Sequence, residues 1–103
     1  MRQDKEGLSR HDSLVYILKE ELCFTRDYDN MWLFMGYLHN GIAGEVDLLA
    51  LADRIYDFYE IKTTYSPKSV KKAGEQFGRF RSAFPGRRIN GFLYTGDRIL
   101  RRL

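Results

Sequence analysis

Residues 45–63 read EVDLLALADRIYDFYEIKT, two apolar runs on either side of the polar pair Asp53-Arg54. Runs of that length and composition, broken by so short a polar pair, predict a β-hairpin. With the turn centred between Asp53 and Arg54, Leu51 faces Tyr56, Leu49 faces Phe58, Asp47 faces Glu60 and Glu45 faces Lys62. Side chains alternate along a strand, so these eight share one face, apolar near the turn and charged at its far end. Directly opposed Cβ atoms lie about 4.5–5.5 Å apart, and two carboxylates that close destabilise a sheet. A hard divalent cation held by their oxygens, Mg²⁺ or Mn²⁺, would remove the repulsion. The other reading is a solvated hairpin face on which Glu45 and Lys62 form a plain surface ion pair. A three-residue turn would slip the register and change every pairing.

Outward from the hairpin, the elements alternate. Leu14, Ile17, Leu18 and Leu22 recur at helical spacing and predict an amphipathic helix from about Ser9 to Phe24. Met31 to His39 is almost wholly apolar or aromatic and reads as a buried strand, ended by Asn40-Gly41. After the hairpin, Ser66 is a candidate N-cap with Pro67 at the first helical position. Val70, Ala73, Phe77, Phe80 and Phe84 form the stripe of that second helix, and Pro85-Gly86 ends it. Ile89 to Thr95 is a final strand. The predicted fold is α/β: a mixed four-stranded sheet flanked by helices, in the order helix-strand-strand-strand-helix-strand. The helical crossover before the last strand suits a parallel pairing. The 103 residues predict a single domain, with a short polar arm over residues 1–8 and a basic tail over residues 96–103.

Charge is divided unevenly. Residues 1–65 carry seven Lys/Arg against twelve Asp/Glu, a balance of −5, and residues 66–103 carry ten against two, a balance of +8. Such a split fits a basic surface for a polyanion and an acidic cluster elsewhere; a solvated helix face with a basic tail fits it too. The lone Cys23 cannot form an internal disulfide or a cysteine-rich zinc site. No run approaches the ~18 apolar residues of a membrane span, and Met1 to Arg10 is unlike a secretory signal. A cytoplasmic, membrane-free setting is the expectation.

Gly44-Glu45-Val46-Asp47-Leu48-Leu49-Ala50 followed by Tyr59-Glu60-Ile61-Lys62-Thr63 resembles the signature of the PD-(D/E)XK nuclease superfamily. There, an acid on one strand is followed across a hairpin by acid-any-lysine on the next. Asp47 matches the first acid, and Glu60 and Lys62 match the second part; Val46 stands where a proline often precedes the acid. The superfamily core has the element order read above, so the resemblance spans nearly the whole chain. It implies a restriction-endonuclease-like fold and a catalytic centre of Asp47, Glu60 and Lys62. Asp47, Glu60 and the Ile61 carbonyl would hold Mg²⁺ or Mn²⁺.

Many members add an acid from the first helix. On a helical wheel Glu21 falls inside the arc of Leu14, Ile17, Leu18 and Leu22, whereas Glu20 falls outside it, so Glu21 is the candidate fourth ligand. Its alternative is a glutamate at the helix end reaching water. Some branches carry a Gln on the second helix, which Gln76 matches loosely, although the Tyr that often follows is Phe80 here. Glu45 and Gln76 are thus auxiliary candidates. Lys68, Lys71, Lys72 and Arg79 are the candidate contacts to a DNA backbone. His11 and His39 lack metal-ligand spacing and read as incidental. Tyr65, Tyr94 and Trp32 are candidates for stacking on bases, or else core aromatics.

These readings combine into an expectation: a Mg²⁺-dependent deoxyribonuclease, structure-selective or nonspecific, with a Holliday junction resolvase as the favoured subtype and a homodimer as its expected assembly. By family habit its product would carry a 5′-phosphate. The rivals are a catalytically inactive nuclease-fold module that binds nucleic acid or protein, and a ribonuclease.

Overall fold

The computed structural model describes residues 7–103. Most of the expected polar arm, residues 1–6, lies outside them. Helix α1 (Arg10–Thr25) is followed by β1 (Asn30–His39), β2 (Ile42–Ala52), β3 (Ile55–Lys62), α2 (Pro67–Ala83), β4 (Arg88–Thr95) and β5 (Leu100–Arg102). The sheet has the order β1-β2-β3-β4-β5, antiparallel throughout except for the parallel β3–β4 pair that α2 connects. The expected α/β class and mixed sheet are present. The strand count is not four but five, because part of the supposed tail, Leu100–Arg102, pairs along the free edge of β4. Its Arg101 and Arg102 bond Thr95 and Asn90 on β4, which ties this basic segment to the sheet.

Both hairpins turn on two residues with positive φ, Asn40 (52°) and Gly41 (77°), then Asp53 (50°) and Arg54 (65°). That geometry matches the strand twist and fixes the register. Leu51 accordingly faces Tyr56 and Leu49 faces Phe58. Helix α1 is capped by Ser9, whose hydroxyl accepts from the Asp12 amide at 3.1 Å. Helix α2 is capped by Ser66 and Ser69 in reciprocal hydrogen bonds, with Pro67 opening the helix as the sequence predicts.

The two helices cover opposite faces. Leu14, Val15, Leu18 and Leu22 of α1 pack on Leu48, Ala50, Tyr59, Ile61 and Tyr94. Phe77 and Phe80 of α2 pack on Val46, Leu49 and Phe58, whose ring lies 5.3 Å from each of theirs. Gly91 lets α2 ride this low: a Cβ there would meet the Phe77 ring at 2.6 Å.

Alternation breaks once, and the break shapes the site. Met31 and Leu33 pack on the α1 side, yet Met35 and Tyr37 pack on the α2 side. Across from them Leu48 lies on the α1 side and Val46 on the α2 side. Both strands change side at one level, between the pairs Leu33–Leu48 and Met35–Val46. Phe34 sits there with φ of 53°, a left-handed conformation costly for a bulky residue. Asp47 is the residue at that level on β2.

Candidate active site

Asp47 and Glu60 are buried, at 7% and 3% exposure, where β2 and β3 part. The β2–β3 ladder ends at Leu48–Tyr59, one pair short of the expected Asp47–Glu60 pairing. The change of side turns Asp47 away from the face of Leu49, and its carboxylate takes over where the ladder stops. Oδ2 accepts from the Ile61 amide at 2.9 Å and from His11 Nε2 at 3.2 Å. Glu60 continues the face of Phe58. Its Oε2 lies 3.2 Å from Lys62 Nζ, while Oε1 is buried with no hydrogen-bond partner. Lys62 Nζ also donates to Gln76 Oε1 at 2.9 Å, so α2 and β3 together fix the ammonium.

The structure therefore brings Asp47, Glu60, Lys62, Ile61 and Gln76 together. It adds His11, which spacing along the chain passes over as incidental. Ser9 and Asp12 mark a helix start in the sequence and so place His11 in the first turn of α1. Which strand that turn meets is a tertiary fact, set by the packing of α1 across β2 and β3.

Two expected members stand elsewhere. Glu21 is exposed, and its Oε1 accepts from the Tyr94 hydroxyl at 3.2 Å. It lies ten residues beyond His11, about 15 Å along the helix. The buried residues of α1 are Leu14, Val15, Leu18 and Leu22, an arc that takes in Val15, leaves Ile17 only partly buried and has Glu21 outside its edge; the wheel also carries no information on which end of α1 meets the acids. Glu45 does not face Lys62, because the β2–β3 ladder has ended; it is exposed and faces Gly36 on β1. Lys68 and Lys72 join Lys62, Thr63, Thr64, Ser66 and Ser69 around a hollow of about 250 Å³ beside the site. Arg79 instead reaches the Ala43 carbonyl, at 3.4 Å, and Lys71 is exposed on α2. The apolar groove of about 570 Å³ along β1 and the end of α2 is lined by none of these side chains; the charged residue in its lining is Arg87.

The electrostatics follow from burial. Loss of water, with the charge of Asp47 added, pushes Glu60 up from 4.5 to about 7, against the opposing pull of Lys62 and His11. His11 is raised from 6.5 to about 9, chiefly by its hydrogen bond to Asp47 and with help from Asp12, whose Oδ1 lies 2.9 Å from Nδ1. At neutral pH the imidazolium donates to both carboxylates.

Both shifts have the same sign for stability. Between pH 4.5 and 7 the folded chain holds a proton on Glu60 that the unfolded chain has released, and between 6.5 and 9 it does so on His11. Stability contributed by His11 is present below 6.5 and lost as pH rises through 9. The metal-free protein should therefore melt at falling temperature as pH rises across both windows. His11→Asn should flatten the upper part of that fall and Glu60→Gln the lower part, with the His11 effect reduced by its partial exposure. Melts followed by circular dichroism check this; a His11→Asn profile parallel to that of the parent would remove His11 from the linkage.

Among the described residues, no three or more His, Cys, Asp and Glu side chains converge as a cation site. The donors present nevertheless fit a small hard cation. Mg²⁺ keeps several waters and is commonly held by one or two carboxylates. The unsatisfied Oε1 of Glu60 is an acceptor that such an ion would complete. No family model matches the chain, and no curated protein matches it significantly.

Proposed function

We propose that this chain is a metal-dependent nuclease of the PD-(D/E)XK type, with a restriction-endonuclease-like core and DNA as its substrate. The observation that carries the reading is the pair of buried carboxylates at the parting of β2 and β3, one oxygen unsatisfied, with a lysine held beside them. Burying two acids beside one another is costly in a purely structural hairpin and useful where a cation and a phosphate must meet. The uneven charge supports the substrate, since ten of the seventeen Lys/Arg lie in residues 66–103.

Asp47 and Glu60 would hold the ion. The carbonyl of Ile61, the residue whose amide donates to Asp47, would add a third oxygen. A bound divalent ion lowers the pKa of its water and offsets charge on the phosphate. Lys62, held by Gln76, orients the attacking water or neutralises the charge that develops on the phosphoryl oxygens. His11 holds the Asp47 carboxylate in place.

The test is a cleavage panel with Mg²⁺ or Mn²⁺ on junction, flap, duplex and single-stranded DNA, with RNA controls. Expected is metal-dependent hydrolysis of DNA leaving 5′-phosphates, reduced about 10²–10³-fold by Lys62→Ala, as for loss of one charge-stabilising donor. Tight binding without turnover on every substrate would identify a binding module instead. Cleavage confined to RNA would identify a ribonuclease.

A further inference from the structure

Tyr65 stands three residues beyond Lys62, in the connection from β3 to α2, and is 52% exposed. One face of its ring is covered, with the Arg101 guanidinium carbon 3.6 Å from the ring centroid. That guanidinium is itself fixed. Nη1 donates to Oγ1 of the fully buried Thr95 at 2.8 Å, and Nη2 donates to Asp97 Oδ2 at 3.1 Å. The backbone before Tyr65 is anchored too. The Thr64 carbonyl accepts from Ser69 Oγ at 2.8 Å, and Gly96 lies so close that a Cβ there would sit 2.2 Å from the Thr63 carbonyl oxygen.

The ring is thus held in one orientation by its backbone and by a cation behind it. An arginine that merely pinned the connection would account for the covered face. It would not account for leaving half of an aromatic residue exposed in a segment whose neighbours Thr64 and Ser66 line the hollow with Lys62, Lys68 and Lys72. Of the other candidate stacking residues, Tyr94 is buried and Trp32 lies on the edge strand β1, away from Lys62.

We propose that Tyr65, backed by Arg101, is a stacking platform for an unpaired base next to the scissile phosphate, with Lys68 and Lys72 on the flanking phosphates. A base inside a duplex has both faces covered by its neighbours, so only an unpaired or splayed base can lie flat on the ring. The platform selects single strands, flaps or frayed ends over intact duplex. A preorganised ring loses little freedom on binding, which favours affinity. The word scissile rests on the nuclease reading; the stacking itself needs no turnover.

The experiment uses the full chain in EDTA, titrated into single-stranded DNA carrying 2-aminopurine and into the same strand within a blunt duplex. The parent should quench 2-aminopurine in the single strand and bind it more tightly than the duplex. Tyr65→Ala should weaken single-strand binding about tenfold or more, abolish the quench and change duplex binding by less than about twofold. Tyr65→Phe keeps the ring and should keep both properties. If melts show Tyr65→Ala to be unfolded, Tyr65→Leu takes its place, since it covers Arg101 without offering a π face. Equal loss in the Phe and Ala variants overturns the platform, as does equal loss on single strand and duplex, or full single-strand binding by a folded Ala or Leu variant. Stacking without cleavage in Mg²⁺ leaves the platform standing and removes the nuclease reading. Cleavage without quenching removes the platform alone.

Discussion

If the chain is the nuclease proposed above, Glu60→Gln is expected to lower DNA cleavage by about 10³-fold or more, since it would remove a proposed ion ligand rather than a supporting contact. The same substitution should raise the melting temperature of the metal-free protein above neutral pH. Glu60 is 3% exposed, and burial together with Asp47 pushes its carboxyl up to about 7. Above that pH the folded chain carries a charge it would shed if it could. The glutamine is neutral and of nearly the same volume. Its oxygen can keep the contact to Lys62, and its neutral amide does not repel the charge of Asp47. Relief of the strained charge is worth on the order of 1–3 kcal/mol, several degrees of melting temperature for a domain of this size. Below pH 4.5 the gain should vanish, because the parent glutamate is then protonated. Adding Mg²⁺ should reverse the order, stabilising the parent and leaving the variant nearly unchanged. A folded Glu60→Gln protein with parental turnover would take Glu60 out of the mechanism. One that melts several degrees below the parent above neutral pH would show that the charge is well accommodated.

The parts of this site legible in the sequence are those set by local geometry. A two-residue turn at Asp53-Arg54 fixes the hairpin register, so Leu49–Phe58 and Leu51–Tyr56 could be paired residue by residue. Ser66-Pro67 announces α2, and helical spacing carries Gln76 to the side that meets Lys62. The parts not legible depend on contacts between distant segments. Strict alternation puts Asp47 on the face of Leu49, and nothing in its own strand signals the change of side at Phe34 and Asp47. His11 meets an acid 36 residues away, a distance that no ligand-spacing rule surveys. Glu21 lies at the exposed edge of the buried arc of α1, and on the wrong turn. Strand β5 is three residues long and basic, with no alternation to mark it; its place is set by what its arginines touch on β4.

The contrasting case is Asp57→Leu, expected to cost about 3 kcal/mol of stability while leaving cleavage, measured well below the melting temperature, near the parental rate. Asp57 is buried on β3, three residues before Glu60, so about 10 Å short of it along the strand. The Tyr28 hydroxyl donates to Oδ2 at 2.5 Å, and the Asn90 amide, from the paired position on β4, donates to Oδ1 at 3.1 Å. The hydroxyls of Tyr28 and Tyr59 are themselves hydrogen-bonded at 2.5 Å, and Arg102 of β5 donates to Asn90 Oδ1 at 2.7 Å. One carboxylate thereby ties the connection between α1 and β1 to the centre of the sheet and, through Asn90, to β5. Burial and these contacts hold the Tyr28 hydroxyl well above the ordinary tyrosine range, so it remains a donor at any working pH. Leucine would leave both donors facing an apolar group, each unsatisfied at about 1–3 kcal/mol. Part of that returns as buried apolar surface, and the two tyrosines can still bond each other. The net loss should appear as a drop in melting temperature on the order of 10–20 °C. Asp57→Asn keeps one acceptor and should fall between leucine and the parent. Among the described residues, no side chain of this network is hydrogen-bonded to Asp47, Glu60 or Lys62, so a drop in cleavage matching the loss of stability, measured where the variant is fully folded, would mean that the network and the acid pair are coupled through β3, where Tyr59 adjoins Glu60.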